Sequence, residues 1–255
     1  MMKKSANISK LFRGSIFIIA LLVLWQLLST SGLLPGYLLP SPVQVIKAFV
    51  QDFPLLMEHS KVTLAEAALG LFFGIVSGFL CAFLMDRSPF FKDALYPLLV
   101  LTQTVPTVAI APLLVLWMGY GMTPKVVLIV IVTFFPMAVN LYEGFASADP
   151  DEMRLLRAMG AEKREIFTYV KLPNALDGFF SALKISASYS VVGAVIAEWL
   201  GGFQGLGVYM TRVKNAYSYD RMFAVIFLIS FLSLILMGLV NLFQRKAMPW
   251  KQIHS

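Results

Sequence analysis

The chain has 255 residues, of which 58% are hydrophobic and 14% are charged, and its mean hydropathy is positive. These values exclude an ordinary soluble protein and are typical of a polytopic membrane protein, which we interpret as one domain over residues 1–255. The net charge of +7 does not indicate nucleic-acid binding, because the basic residues lie at the ends of apolar segments, where membrane orientation accounts for them. The single cysteine, Cys81, excludes a disulfide, and two distant histidines, His59 and His254, argue against a metal site.

The first predicted span covers about residues 15–34 and follows a basic segment. At 1.5 Å per residue it is long enough to cross a hydrocarbon core of about 30 Å. A cleaved signal peptide is the alternative, with residues 29–31 as the cleavage region. We favour a span, because the apolar run continues through Leu33 and Leu34 and its removal would leave an odd number of spans.

The next stretch, residues 35–60, is predicted not to span, because turn-forming residues interrupt it: Pro35, Gly36, Pro40, Pro42 and Pro54. Between those prolines an apolar pattern beside Lys47 predicts a short interfacial helix containing Val43, Ile46, Ala48, Phe49 and Val50.

A regular stripe of small residues marks the second predicted span, about residues 62–85. Gly70, Gly74, Gly78 and Ala82 recur at a four-residue interval. Small residues at this spacing let helix backbones approach closely in lipid, so we expect this face to pack against another helix. Glycine as random filler would not produce four successive matches.

Three prolines interrupt the third predicted span, about residues 94–118: Pro97, Pro106 and Pro112. They leave backbone carbonyls without their usual partners, which a bilayer tolerates only against protein or a watery cavity. We therefore expect a bent helix near a translocation pathway. An external turn at Pro124 and Lys125 precedes the fourth span, about residues 126–145.

A charged island then occupies residues 146–174. Asp149 and Pro150 predict a helix beginning at Pro150, and Gly160 is suited to the left-handed position that ends one. A second short helix is expected to place Ile166, Tyr169 and Val170 on one face and to end before Pro173. The alternative for the whole island is a basic helix-loop-helix lying on a membrane surface.

The fifth predicted span, about residues 175–200, has a face of small and hydroxyl residues: Ala182, Ser186, Ser190 and Ala194, with Tyr189 beside them. Such a face is either a helix contact or the wall of a pathway. By elimination we predict a hydrated route past Ser186, Tyr189 and Ser190, with Pro106 opposite. Glu198, near the outer end, is a candidate for a substrate or gating role or a hydrated interfacial acid.

An external loop over residues 201–221 leads to a sixth span, about residues 222–243. On this map fourteen Lys and Arg residues lie on the side of the termini and the island, and six lie on the other. The positive-inside rule therefore predicts cytoplasmic termini and a cytoplasmic island.

The spacing from Gly160 to Leu172 and Pro173 within this island resembles the cytoplasmic "EAA" loop of ABC importer permeases. The chain departs from that loop at the start, where residues 154–156 read Arg-Leu-Leu in place of Glu-Ala-Ala. The variant over residues 156–160 is similar to the loop of nitrate, sulfonate, taurine and thiamine-precursor permeases. The resemblance implies a helix that contacts the ATPase, with these coupling residues: Pro150, Arg154, Leu156, Arg157, Ala158, Gly160, Leu172 and Pro173.

Further stretches extend the resemblance over most of the chain, namely residues 103–106, 117–121, 193–201 and 205–207. It implies an all-α type I ABC importer permease in the bacterial inner membrane, with about six transmembrane helices. The expected partners are an ABC ATPase dimer, an extracytoplasmic binding protein, a second permease copy and membrane lipid. ATP and Mg belong to the separate ATPase, and the resemblance implies no cofactor on this chain.

Residues 85–89, 117–121 and 197–201 most resemble permeases for pyrimidine thiamine precursors, although sulfonates, taurine, nitrate and riboflavin remain open. An ion-coupled secondary transporter is the rival from another class. It would show inverted repeats or paired charges near the midplane, which the sequence does not indicate. An intramembrane enzyme is disfavoured, because the spans contain no Ser/His pair or metal-ligand set.

Overall fold

The computed structural model describes residues 2–31 and 38–249, with side chains described from residue 16 onward. Within those ranges every regular element is helical, as the sequence predicted. The helices, in chain order, are α1 (Met2–Thr30), α2 (Pro42–Gln51), α3 (Phe53–Arg87), α4 (Pro89–Thr104), α5 (Thr107–Met118), α6 (Met122–Ala146), α7 (Pro150–Ala158), α8 (Lys163–Ile166), a π-helical turn (Phe167–Lys171), α9 (Leu172–Gly201), α10 (Leu206–Asn215) and α11 (Tyr219–Ala247).

Among the described residues, four helical segments are long and apolar enough to cross a membrane: α3, α6, the continuous segment Lys163–Gly201 and α11. A fifth results if α4 and α5 form one broken span. The first of the six expected spans, residues 15–34, contains the shorter apolar stretch Ile16–Thr30, and its last residues, 32–34, lie outside the described ranges.

The third expected span is a sharp break rather than one bent helix over residues 94–118. The axes of α4 and α5 meet at 100°. Val105, which precedes Pro106, is extended with φ −87° and ψ 121°. A residue before proline is driven out of the helical region, and proline has no N–H to continue the ladder, so the helix stops there. Pro97 and Pro112, by contrast, lie inside their helices.

Helices α2 and α3 each have a proline in the first turn. The predicted short helix α2 is confirmed, with Ser41 and Gln44 forming a capping box at its start. However, α3 begins at Phe53 rather than near residue 62, so residues 53–60, which were expected to precede the second span, form its first turns. Pro54 occupies the second helical position, where its missing N–H costs no internal hydrogen bond.

The loop expected over residues 201–221 is also partly helical, since it contains α10. The fold divides into two compact units, residues 1–57 with 209–228 and residues 58–208 with 229–255. In the described part of the first unit, Val45 and Ala48 of α2 pack against Ala224 of α11. The Trp25 ring lies 5.8 Å from that of Phe223.

Helix α6 is the centre of the second unit and packs between α3 and α9. On one flank, Gly70, Gly74 and Gly78 lie against Ile129, Thr133 and Met137. A Cβ added at Gly78 would lie 2.6 Å from the Cβ of Met137. On the other flank, the small face of α9 is fully buried through Ala182, Ser186, Ser190 and Ala194. Short side chains on both flanks therefore let three helix backbones approach closely.

Candidate functional site

The charged island contains a well-defined nine-residue helix, α7. It begins at Pro150, as predicted, and the Asp149 side chain accepts a hydrogen bond of 2.8 Å from the Asp151 backbone N–H. At the other end, Gly160 has φ +91° and its N–H donates to Arg157 O, while Ala161 N–H donates to Leu156 O at 2.9 Å. This pair of bonds is a Schellman motif, which requires a left-handed residue at Gly160.

No side chain of α7 is buried. Leu155 is 63% exposed, and Met159, one turn later, is 73% exposed. The predicted coupling residues Pro150, Arg154, Arg157, Ala158 and Gly160 are exposed, and Leu156 is half-buried. An isolated helix this short is marginal in water, and paired exposed apolar residues mark interaction surfaces. The surface of α7 is therefore suited to receiving a protein partner.

The segment after α7 differs from the predicted second short helix. Instead of ending before Pro173, it continues through α8, the π-helical turn and α9 as one 39-residue helical segment. Pro173 lies directly after the π-helical turn, whose last bond runs from Leu172 N–H to Phe167 O. The prediction for Tyr169 is also wrong. Ile166 and Val170 are buried, but Tyr169 is 71% exposed, because the π turn rotates Tyr169 away from the face that Ile166 and Val170 share.

Three kinds of contact hold the base of this segment. Lys171 Nζ forms a partly buried ion pair of 2.6 Å with Asp86 at the end of α3. The Phe167 ring lies 5.3 Å from the Phe83 ring and 5.1 Å from the Phe145 ring. Asn174 Nδ2 donates to Gly144 O at 3.1 Å. These contacts fix the base of the segment to α3 and α6, while α7 remains exposed.

The break between α4 and α5 borders a cavity of about 230 Å³. Its wall includes Val105 and Thr107, which flank Pro106, together with Gln103 and Tyr189 of α9. Tyr189 is 51% exposed. The structure therefore brings one predicted pathway residue, Tyr189, to the region of another, Pro106.

Ser186 and Ser190 do not reach this cavity, because both are fully buried. Ser186 Oγ donates to Thr133 O of α6 at 3.3 Å, and Ser190 Oγ donates to Ala187 O within α9 at 2.9 Å. At these two serines the small face of α9 is therefore a helix contact and not the wall of a pathway.

Glu198 is 1% exposed rather than hydrated at an interface. It anchors the first turn of α10: Gly207 N–H donates to Glu198 Oε2 at 2.6 Å, and the Thr63 hydroxyl donates to Oε1 at 2.7 Å. Leu206 N–H donates to Thr63 Oγ1, and Gly205 N–H donates to His59 Nδ1, each at 2.9 Å. Three backbone donors that the helix itself cannot satisfy are thus paired with side chains. We name Glu198, Thr63 and His59 the capping cluster.

A buried ion pair lies on the same face of α3. Lys125 Nζ is 2.6 Å from Glu66 Oε1, and the two side chains are 6% and 1% exposed. This pair was not predicted from the sequence, which placed Lys125 in an external turn. Lys125 instead belongs to the first turn of α6. A charge in a buried position requires such a partner, since an unpaired one would be costly in an apolar interior.

Comparison with known proteins agrees with this architecture. The profile of the family described as "binding-protein-dependent transport system inner membrane component" matches residues 70–248. The chain is 36% identical to the formylaminopyrimidine transport permease protein ThiX of Halalkalibacterium halodurans, covering 93% of this chain and 95% of that one. It is 29% identical to the riboflavin transport system permease protein RibX of Chloroflexus aurantiacus, covering 91% and 87%.

Among solved structures, an inward-facing MetNI methionine ABC transporter chain superposes with a TM-score of 0.67 at 21% identity, covering 77% of this chain and 97% of that one. This likeness concerns the fold, which is that of type I ABC importer permeases. Family membership implies an ATPase and a binding protein as partners. The chain therefore belongs to the inner-membrane components of binding-protein-dependent transport systems, as a multi-pass ABC importer permease that is not itself the ATPase.

Proposed function

We propose that this permease translocates a pyrimidine precursor of thiamine, delivered by its external binding protein. The observation that carries the proposal is the 36% identity, over 93% of this chain, to a permease named for formylaminopyrimidine. The alternatives are aliphatic sulfonates, taurine, nitrate and riboflavin, and the riboflavin relative at 29% identity supports the last of these. An ion-coupled secondary transporter is set aside by the family match.

The test is ATP hydrolysis by the complete transporter, reconstituted with its own binding protein and titrated with candidate solutes. A formylaminopyrimidine should stimulate hydrolysis at lower concentration than taurine or riboflavin does. Stimulation by one of the alternatives alone would contradict the proposed substrate and leave the assignment to the permease family intact.

The proposed docking element for the ATPase is the exposed surface of α7 together with its Schellman turn. Leu155 and Met159 offer apolar contact area, and Arg154 and Arg157 offer charge, on a helix with no buried side chain. ATP and Mg would bind the ATPase and not this chain. The charge asymmetry of the sequence supports cytoplasmic termini and a cytoplasmic α7.

The proposed route passes the cavity between Tyr189 and the break at Pro106, with a second copy of the chain completing it in a homodimer. Half-exposed Tyr189 supports this placement, and the full burial of Ser186 restricts the route to the tyrosine side of α9. In a Cys81→Ser background, Tyr189→Cys should react with water-soluble thiol reagents in a manner that changes with trapped ATP. Ser186→Cys should stay protected, and equal reactivity of the two positions would exclude this route.

A further inference from the structure

A basic cavity of about 790 Å³ lies beside the base of the charged island. Five cationic side chains line it, with one carboxylate: Arg87, Arg157, Lys163, Arg164, Lys171 and Asp86. Lys171 and Asp86 form an ion pair and neutralise each other. Within the described part of the chain, no ion pair joins the remaining four cations to a carboxylate. Five cations and one carboxylate give the lining a net charge of +4.

Such an arrangement favours an anion. Like charges that share one space raise each other's energy, and an anion between them replaces that repulsion with attraction. Arginine and lysine donors around a phosphate also form charge-assisted hydrogen bonds, which are the stronger kind. Arg87 is the last residue of α3, which is long and apolar enough to cross a membrane, so the cavity lies at the end of a candidate span.

The remaining wall of the cavity is apolar. Phe83, Ile166 and Phe167 line it beside the cations. One turn deeper along the same two helical segments, a second cavity of about 370 Å³ begins, with Phe79 and Leu80 on α3 and Ala175 and Leu176 on α9. Every residue lining this second cavity is apolar, and we name it the apolar groove. A charged site at the end of α3 is thus followed, along the same two helical segments, by an apolar groove.

We propose that the basic cavity and the apolar groove together bind one anionic phospholipid of the leaflet adjoining α7. The phosphate would lie among Arg87, Lys163 and Arg164, and an acyl chain would lie in the apolar groove. The shared chemistry is a phosphate anion, and the groove selects a lipid over free phosphate because only a lipid has a chain to fill it. Since Arg157 of α7 also lines the cavity, the bound lipid contacts the surface proposed for the ATPase.

The test is native mass spectrometry of the delipidated full chain, titrated with phosphatidylglycerol, phosphatidylcholine, glycerol phosphate and inorganic phosphate. Each Lys or Arg near a headgroup contributes about fivefold in affinity. The double variant Arg87→Gln/Lys163→Gln should therefore bind phosphatidylglycerol about 25-fold more weakly. Lys246→Gln removes one positive charge from the exposed last turn of α11, outside the cavity, and should leave the affinity unchanged.

A second variant tests the apolar groove. Val76→Phe fills part of it and should weaken phosphatidylglycerol binding while leaving any binding of glycerol phosphate unaltered. Thermal unfolding of each variant in detergent identifies one that has lost its fold. Equal binding of phosphatidylcholine, equal binding of inorganic phosphate, or an unchanged affinity in a folded double variant would each overturn the proposal.

Discussion

Replacing Glu198 by alanine and by glutamine separates two roles that this buried side chain could have. As a member of the capping cluster, Glu198 accepts hydrogen bonds from Gly207 N–H and from the Thr63 hydroxyl. The second possible role is electrostatic and would depend on the negative charge of the carboxylate. Alanine removes both roles, whereas glutamine keeps an acceptor oxygen of the same size and removes the charge.

The alanine variant should lose about 3 kcal/mol of unfolding free energy. Gly207 N–H would lose its hydrogen bond to Glu198 Oε2, which costs about 2 kcal/mol, and the removed side-chain atoms would leave a cavity that costs about 1 kcal/mol. The Thr63 hydroxyl adds little to this loss of free energy, because it can donate its hydrogen bond to His59 O, which lies 3.2 Å away, instead. A glutamine oxygen still accepts from Gly207, and its NH₂ group can donate to Thr63 Oγ1, so Glu198→Gln should cost only about 1 kcal/mol.

The assay is thermal unfolding of the purified chain in detergent. These free energies correspond to a midpoint lowered by about 10 °C for alanine and about 3 °C for glutamine. Glu58→Ala is the matched control, since Glu58 is an exposed carboxylate on α3 near the capping cluster and its loss should be nearly neutral. If glutamine lowers the midpoint as far as alanine does, the charge and not the capping geometry is what α10 requires.

Three further predictions follow from local geometry. Gly160→Val should abolish transport without preventing membrane insertion, because a β-branched residue is strained at φ +91°, whereas Gly160→Asn, which tolerates that region, should retain transport; normal transport by the valine variant would contradict a coupling role. Gly74→Leu should lower the unfolding free energy by about 1–3 kcal/mol, measured by thermal unfolding in detergent, since its side chain would meet Thr133, and an unchanged midpoint would mean that this face is loosely packed. Burial and a hydrogen bond to Asp52 raise the pKa of Tyr209, so its stabilisation should be complete below about pH 10 and decline above it. In the Tyr209→Phe variant, the unfolding free energy measured with a chemical denaturant should no longer decline in this way. Identical pH profiles for the variant and the unchanged protein would refute the role given to Tyr209.

Helix ends set by local chemistry could be predicted from the sequence. Asp149, Pro150 and Gly160 are sufficient to define α7, because a cap and a left-handed residue act within one turn. The interruption at Pro106 was predictable for the same reason. The 100° angle there was not, since it depends on what α5 packs against, including Ala197 of α9.

The capping cluster could not be predicted, because its members are distant in sequence. Thr63 and Glu198 are separated by 135 positions, and nothing local to either indicates the other. The π-helical turn escaped prediction for a different reason. An α-helical period was assumed through residues 166–170, and the wider π turn is enough to move Tyr169 out of the buried face.

The uninterrupted helical segment Lys163–Gly201 has a mechanical consequence. Thirty-nine residues at 1.5 Å each form a rod of about 58 Å, which exceeds the thickness of a bilayer with its headgroups. One end follows α7 by way of a short turn. The other end carries Glu198, which accepts a hydrogen bond from Gly207 N–H at the start of α10. A rod of that length, tilted by about 10° at its base, displaces its far end by about 10 Å. A movement imposed at the base of this segment would therefore move the end that carries Glu198 by leverage.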